Sequence, residues 1–207
     1  LSTNPNSFPI LTMGKEFRAC LKPQNDWFIE LDFNAAELRT LLALQGEKQP
    51  DKDIHDWNVE HIFNNKLTRE EVKTKTFAWL YSKRTNKQLE QIYNKNKVQD
   101  KYWDGKNIYT DFNRKIENVE ERLAINYIVQ STTIDMVHEQ ALKVFKFLED
   151  KESFISLLIH DAVYLDLKNE ERQDLIKILN LFRTTRYGSM VVNVKAGKNL
   201  GQMKKLN

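Results

Sequence analysis

The stretch Phe154–Leu167 reads FISLLIHDAVYLDL, and it bears on the fold more than any other part of the chain. Two apolar runs, Phe154–Ile159 and Val163–Leu167, flank the short tip His160-Asp161-Ala162. Apolar runs of this length bounded by a turn are typical of buried strands. The stretch therefore predicts a β-hairpin with an acidic side chain at its tip.

A second strand-like run, Trp27–Asp32 (WFIELD), also ends at a carboxylate. From Ala35 to Gln45 apolar side chains recur at helical spacing, and Gly46 follows as a residue suited to ending a helix. This predicts a helix packed back on the strand. Asp32 is then placed at the end of a buried strand, as Asp161 is.

Helical patterns cover much of the remaining chain. The predicted helices are Asp53–Phe63, Arg69–Ser82 with Thr68 as N-cap, one or two helices over Val119–Leu148, and a helix through Phe182 capped by Asn169. A short strand is predicted over Met190–Val194, and a loop around Trp103–Gly105. Strands and helices mixed in this way, with an antiparallel hairpin, predict an α+β fold.

The composition sets outer bounds on function. The chain has 207 residues and a net charge of +3 from 32 cations and 29 acids, which gives weak support for a polyanionic partner. The longest apolar candidate, Phe154–Leu167, is interrupted by polar residues, so no membrane span is predicted. Cys20 is the single cysteine, which excludes an internal disulfide and fits an intracellular, cytoplasmic protein. The start at Leu1, without Met or an apolar leader, predicts an excised piece of a longer protein.

One helical stripe combines charge with aromatic rings. Arg69, Lys73, Phe77 and Tyr81 recur every four residues along one helix. Like charges at this spacing repel each other unless an anion lies beside them, and a phosphate group would serve. The stripe predicts a nucleoside triphosphate lying along the helix. The alternative, surface cations and core aromatics, stays open from spacing alone.

The two strand-end acids form a second constellation. Buried carboxylates are unfavourable unless they are paired or bind a metal, so Asp32 and Asp161 together predict divalent cations. Phosphoryl transfer through two metal ions uses such an arrangement. Two unrelated turn acids are the alternative.

Polar side chains at four-residue spacing form a third constellation. Arg122, Asn126 and Gln130 could hydrogen-bond a template strand or base edges in a minor groove, or could serve helix capping and solvent contact. His55 could meet a phosphate, or could be a satisfied structural histidine. These alternatives also stay open at this point.

Taken in order, these segments resemble the family A DNA polymerases, the group of the bacterial repair polymerase and many phage replicases. The matching segments are Leu1–Thr3, Asp32–Arg39 (DFNAAELR), Asp53–His55 (DIH), the Arg69 to Tyr81 stripe, Glu121–Gln130 (ERLAINYIVQ) and Ile159–Val163 (IHDAV). The resemblance covers nearly the whole chain. It implies a right-hand polymerase fold of α+β class. Residues 1–48 and 131–207 would form a palm with an antiparallel sheet, and residues 49–130 inserted helical fingers.

The resemblance also implies nucleotide addition to a primer 3′ end through two metal ions. Asp32 and Asp161 would be the catalytic residues and the ligands of Mg²⁺, for which Mn²⁺ is a substitute. The side chains implied to bind the incoming deoxynucleoside triphosphate are Glu37, His55, Arg69, Lys73, Phe77 and Tyr81. Those implied to contact primer-template DNA are Arg122, Asn126, Gln130 and His160. A thumb is absent from this chain, and we expect it to come from an N-terminal portion or a separate chain.

One departure from the family supports an alternative function. The family usually has a Glu directly after the acid of the final hairpin, whereas this chain has Ala162. A catalytically weak or silent primer-template-binding subunit is therefore the main alternative. A single-subunit RNA polymerase is less favoured, because Glu37 and Phe77 indicate deoxynucleotides.

Overall fold

The computed structural model describes residue 10, residues 12–82 and residues 85–206. The chain forms two compact units. The sheet unit comprises the chain up to Phe33, Val137–Thr184 and the chain from Val192, and the helical unit comprises Asn34–Met136 and Thr185–Val191. The division into palm and fingers at residues 48/49 and 130/131 stays a prediction.

Some predicted features cannot be compared with the structure. The sequence also predicts an extended loop over Ser2–Pro9 and a basic cluster at Lys83, Arg84 and Lys87. This loop, the Leu1–Thr3 match and the residues Lys83 and Arg84 lie outside the described residues. Within the described residues, no helix has both the length and the apolar character needed to cross a membrane.

The elements follow in chain order. They are α1 (Lys15–Arg18), β1 (Trp27–Phe33), α2 (Ala36–Gln45), α3 (Ile54–His61), α4 (Arg69–Leu80), α5 (Lys87–Ile92), α6 (Lys95–Tyr102), β2 (Ile108–Tyr109), β3 (Lys115–Ile116), α7 (Glu121–Leu148), β4 (Phe154–Ile159), β5 (Ala162–Leu167), a 3-10 helix (Asn169–Asp174), α8 (Leu175–Arg183), β6 (Thr184–Thr185), β7 (Gly188–Ser189), β8 (Val192–Gly197) and β9 (Lys204–Lys205).

A five-stranded sheet organises the sheet unit, with strand order β4-β5-β1-β8-β9. Each strand is antiparallel to its neighbours. The central strand β1 pairs with β5 on one side and with β8 on the other. The α+β class with an antiparallel sheet, as predicted, is confirmed.

Strand β1 turns alternate side chains to opposite faces of the sheet. Leu31 and Phe33 share one face and are almost completely buried, and Phe33 stacks on Phe182 of α8 with ring centroids 4.5 Å apart. Glu30 and Asp32 share the other face. The apolar face fixes the register, because a slip by one residue would turn both acids toward the apolar side.

The predicted hairpin forms from β4 and β5. Its turn consists of His160 and Asp161, and His160 adopts a left-handed backbone conformation (φ 55°). The second strand begins at Ala162, one residue earlier than predicted. Asp161 therefore lies at the tip, directly before a residue that pairs with β1.

The helical unit follows local signals closely. Helix α2 begins after Ala35 and ends before Gly46, both in the left-handed conformation (φ 49° and 83°). Helix α4 begins with a capping box, in which Thr68 and Glu71 each satisfy the other's backbone N–H. The pattern that predicted one or two helices before the hairpin forms a single helix, α7, of 28 residues.

Two local predictions are wrong in detail, and one element was not predicted. Asn169 does not cap a helix: it begins the 3-10 helix, and its Oδ1 accepts a hydrogen bond from Trp27 Nε1 (2.9 Å). The strand predicted over Met190–Val194 instead spans Val192–Gly197, because its partner β1 pairs with it as far as Gly197. The β2–β3 hairpin was not predicted.

Candidate active site

Two carboxylates lie near one end of β1, where the sequence predicted a metal site. Asp32 lies one residue before the end of β1 and pairs in register with Ala162. Asp161 directly precedes Ala162 in the hairpin turn. The pairing of β1 with β5 therefore brings the two predicted metal ligands to neighbouring positions.

The pKa of Asp32 shows how the two acids affect each other. Burial raises this pKa, and the negative charge of Asp161 raises it further, to about 6. A hydrogen bond from Asn193 Nδ2 to Asp32 Oδ2 (3.3 Å) and the positive charge of Lys195 act in the opposite direction. A bound cation offsets both the cost of burying these charges and the repulsion between them. These residues therefore fit a divalent metal ion.

The site offers two carboxylates rather than three. Ala162 occupies the position where the resemblance leads one to expect a Glu. Among the residues that the structure describes, no group of three or more His, Cys, Asp and Glu side chains is arranged to hold a metal ion. A metal ion held by Asp32 and Asp161 would take its remaining ligands from water and phosphate oxygens.

An ion-pair network on the same strand face was not predicted from the sequence. Glu30 is nearly buried, accepts a hydrogen bond from the Tyr164 hydroxyl (3.0 Å) and forms an ion pair with Lys195. Its charge also contributes to the raised pKa of Asp32. The alternation Glu-Leu-Asp in β1 places both acids on one face, which is the signal that the sequence offered. The partners come from β5 and β8.

Helix α4 presents the predicted stripe in the helical unit. Arg69 is its first residue, Lys73 and Phe77 follow on successive turns, and Tyr81 comes directly after its end. The rings of Phe77 and Tyr81 lie 6.3 Å apart and are nearly parallel, at 12°. Both pack against the core of the unit but keep part of their surface exposed. The stripe thus offers aromatic surface as well as charge to a ligand.

The end of α4 is joined to the start of α2 by a side-chain contact. The Tyr81 hydroxyl donates a hydrogen bond to Glu37 Oε2, and Glu37 lies in the first turn of α2. Both side chains are half-buried. Two residues that the resemblance groups around the sugar of a nucleotide are therefore in direct contact.

The two cations of the stripe differ in their surroundings. Arg69 donates to Asp53 Oδ2 and to Glu70 Oε1, each at 2.8 Å. Lys73 is exposed and makes no ion pair or hydrogen bond with any residue that the structure describes. An anion could therefore bind Lys73 without displacing an existing contact.

His55 is the buried member of this group. Its ring is 5.7 Å from that of Phe77, and its Nδ1 has no hydrogen-bond partner among the described residues. Burial lowers the pKa of His55, and the positive charges of Arg69 and Lys73 lower it further. The charge of Asp53 acts in the opposite direction. The contact with Phe77 and the effect of both cations on its pKa place His55 next to the α4 stripe.

The three α7 side chains predicted to contact DNA line two depressions in the helical unit. Arg122 and Asn126 line a cleft of about 550 Å³ together with Tyr81. Gln130 lines a separate groove of about 380 Å³. His160, the fourth predicted DNA contact, is exposed in the hairpin turn of the sheet unit.

Comparisons with known proteins give matches in sequence and in fold. No family model matches the chain. The chain is 25% identical to DNA polymerase I of Borreliella burgdorferi over 98% of its own length, and 22% identical to thermostable DNA polymerase I of Thermus aquaticus over 86%. The POL domain of Pol1 from M. smegmatis, solved with DNA primer-template and dNTP, matches 90% of the chain with a TM-score of 0.72 and 16% identity. The chain resembles the family A DNA polymerases.

That resemblance, predicted from the motifs, is confirmed in sequence and in fold. The family A-like chain spans about a quarter of its curated relatives, 28% of the B. burgdorferi protein and 27% of the T. aquaticus protein. It spans 42% of the M. smegmatis polymerase domain. The activities of the complete relatives can therefore only be proposed for this chain.

All predicted site residues of this family A-like chain lie within the residues that the structure describes. The two acids and His160 belong to the sheet unit, and the other predicted residues belong to the helical unit. The neighbours that sequence reasoning missed are Glu30, Asn193 and Lys195 near Asp32, and Asn34 and Asp53 near Arg69. Most of these contacts join residues distant in the chain, and no local pattern indicates them.

Proposed function

We propose that the chain adds deoxynucleotides to a primer 3′ end under the direction of a template. The observation that carries the proposal is the β1–β5 register, which sets Asp161 beside the partner of Asp32. Two neighbouring acids, one at the end of β1 and one in the hairpin turn, support the binding of Mg²⁺, with Mn²⁺ as a substitute. The α4 stripe supports a triphosphate ligand, because two cations precede two partly exposed rings.

Each part of the site would have a separate task. Asp32 and Asp161 would hold Mg²⁺, which when bound supplies positive charge at the reacting phosphate and activates the attacking hydroxyl. Lys73 and Arg69 would donate hydrogen bonds from their N–H groups to triphosphate oxygens, where negative charge builds up as pyrophosphate leaves. His55 would add a further polar contact to the triphosphate.

The remaining side chains would select and place the substrates. Phe77 would pack on the base and sugar of the incoming nucleotide, and the hydrogen-bonded Glu37 and Tyr81 would fill the space that a 2′-hydroxyl needs. The proposed contacts with primer-template DNA are Arg122, Asn126, Gln130 and His160. That a thumb comes from a separate chain stays a prediction.

Primer extension tests the proposal. A labelled primer on a short template should lengthen when the chain, Mg²⁺ and all four deoxynucleoside triphosphates are present. Asp161→Asn should abolish the extension. Glu149→Gln, at an exposed acid of the same unit, should leave it unchanged. Absence of extension by the unaltered chain would contradict the proposal.

A second function, primer-template binding without catalysis, is favoured by Ala162 and the two-carboxylate site. The metal separates the two functions. Binding of Mn²⁺ is measured by the electron paramagnetic resonance signal of free Mn²⁺. Binding to the unaltered chain but not to the Asp32→Asn variant supports the enzyme. DNA binding without any metal bound at this pair supports the silent module.

Removing the Glu37 side chain should relax sugar selection. We expect Glu37→Ala to raise the ratio of ribonucleotide to deoxynucleotide incorporation about thirtyfold, or about 2 kcal/mol. The reason is that the change empties space held by the Glu37–Tyr81 pair. Competing incorporation of the two nucleotides opposite one template base measures the ratio. Tyr81→Phe, which keeps the ring and loses the hydroxyl, should show a smaller rise, and an unchanged ratio in both variants would contradict the assignment.

Binding of a triphosphate should raise the pKa of His55. In the free chain burial and neighbouring cations lower this pKa, which favours the neutral ring. An added polyanion stabilises the charged ring, so binding takes up a proton. Triphosphate affinity should therefore increase as the pH falls through the bound-state pKa of His55, and level off below its free-state pKa. Ring NMR signals followed with pH, with and without tripolyphosphate, measure this, and the signals of exposed His61 should not respond to the ligand.

A further inference from the structure

Asn34 directly follows β1 in the chain, and its side chain contacts the start of α3. Its side chain is buried, and Oδ1 accepts hydrogen bonds from Ile54 N (2.9 Å) and Arg39 Nη2 (3.2 Å). Its Nδ2 donates to Asp53 Oδ2 (2.7 Å). The amide oxygen accepts from two donors and the amide nitrogen donates to a carboxylate. The hydrogen-bond network therefore allows a single orientation of the Asn34 amide.

Arg39 holds this residue rigidly. Its guanidinium is completely buried, donating from Nε to Asn34 O (2.8 Å), from Nη1 to Pro50 O (2.8 Å) and from Nη2 to Lys52 O (2.6 Å). Burial lowers the pKa of Arg39 to about 10, so it stays charged near neutral pH. Asn34 is thereby fixed through both its backbone and its side chain.

The Asp53 carboxylate serves two purposes. Oδ1 caps α3 by accepting from His55 N (2.9 Å) and Asp56 N (3.1 Å), and Oδ2 accepts from Asn34 and from Arg69 Nη2 (2.8 Å). Burial alone would raise the pKa of Asp53. The hydrogen bonds from Arg69 and Asn34 outweigh burial and hold this pKa well below its usual value.

The other carboxylates around Arg69 are more exposed. The side chains of Glu70 and Asp56 are 76% and 52% exposed, against 25% for Asp53. Exposed ion pairs contribute little to stability, so a phosphate could replace these two partners of Arg69. The contact with Asp53 is supported from behind by Asn34 and would persist.

We propose that Asp53, held by Asn34, is a positioning residue that orients the Arg69 guanidinium toward a triphosphate. The inference rests on the proposed function, since it assumes a triphosphate beside α4. A carboxylate repels phosphate, so any benefit of Asp53 to binding must act through Arg69. Simple electrostatics predicts the opposite effect, which makes the proposal testable.

The test compares two matched carboxylate removals in the full chain. Asp53→Asn keeps a good N-cap for α3 but removes the charge that holds Arg69. Asp56→Asn, three residues on, removes the same charge from a position 3.6 Å from Arg69 Nε. Binding of tripolyphosphate is measured by calorimetry for both variants, and each is repeated in an Arg69→Lys background.

We expect Asp53→Asn to weaken binding about tenfold in the unaltered chain and about twofold in the Arg69→Lys background. Asp56→Asn should bind equally well or more tightly. Equal or tighter binding by both variants would overturn the positioning role while leaving the proposed function standing. Failure of the unaltered chain to bind tripolyphosphate would overturn both.

A folding defect must not be mistaken for a positioning effect. Thermal melting of every variant gives the folded fraction, and Asp53→Ser serves as a second variant, because serine also caps a helix but lacks the charge. Both Asp53 variants should lose affinity to a similar extent while staying folded. A loss of affinity as large in the Arg69→Lys background as in the unaltered chain would show a general structural effect and contradict the proposal.

Discussion

Lys73→Ala should lower the rate of nucleotide addition about two-hundredfold, or about 3 kcal/mol in the activation barrier. Lys73 is exposed on α4, one turn after Arg69, and has no ion pair or hydrogen bond within the described part of the chain. Its charge would be met by the triphosphate, most strongly as pyrophosphate leaves. The free energy of unfolding should change by no more than about 0.5 kcal/mol, because the side chain stabilises no contact in the fold.

Lys75→Ala is the matched control for this prediction. Lys75 is exposed on the same helix, two residues further on, and so faces a different direction. Single-turnover addition of one nucleotide measures both variants. Equal rates for Lys73→Ala and Lys75→Ala would show that the stripe does not contact the reacting phosphates.

Asp32→Asn should have a larger effect, lowering primer extension at least about a thousandfold, or about 4 kcal/mol. The amide has the size of the carboxylate but not the charge needed to hold Mg²⁺. The fold should tolerate the change, because Asp32 is half-buried beside a second acid and its charge is unfavourable there without a cation. Loss of activity without loss of stability is thus the expected result.

Two measurements check the Asp32 prediction together. Rates of single-nucleotide addition with excess Mg²⁺ give the loss of activity, and thermal melting without metal gives the stability. Melting at or above the temperature of the unaltered chain is expected. Activity within tenfold of the unaltered chain would show that Asp32 is not a metal ligand in the reaction.

The elements that could be predicted from the sequence are those with a local cause. Helix α2 lies between Ala35 and Gly46, where the backbone turns left-handed, and α4 begins at the Thr68 cap. The hairpin around Asp161 follows from two apolar runs with a short polar tip. In each case the residues that form the element also carry the signal.

Elements determined by distant pairing could not be predicted in the same way. Strand β8 runs on to Gly197 because β1 pairs with it that far, and β2 and β3 are too short, at two residues each, to leave a periodic pattern. Asn169 looks like a helix cap, but the indole of Trp27 occupies its side-chain oxygen. Tertiary contacts overrode the local signal there.

The candidate site shows the same division. The spacing of Arg69, Lys73 and Phe77 indicated a ligand-binding stripe, and in the structure these residues lie on one helix, α4. The spacing could not reveal that Arg69 is held by Asp53 while Lys73 is unpaired within the described residues. The sequence indicated candidate site residues, which stay predictions, whereas the partners of these residues depend on contacts between distant segments.

In the proposed function, the template base determines which nucleotide this chain adds. The most direct measurement supplies one deoxynucleoside triphosphate at a time to four primer-templates that differ in the first unpaired template base. We expect addition to require Mg²⁺ and the complementary nucleotide, and we expect the accepted nucleotide to change with the template base. Addition of the same nucleotide on all four templates, or no addition on any, would contradict it.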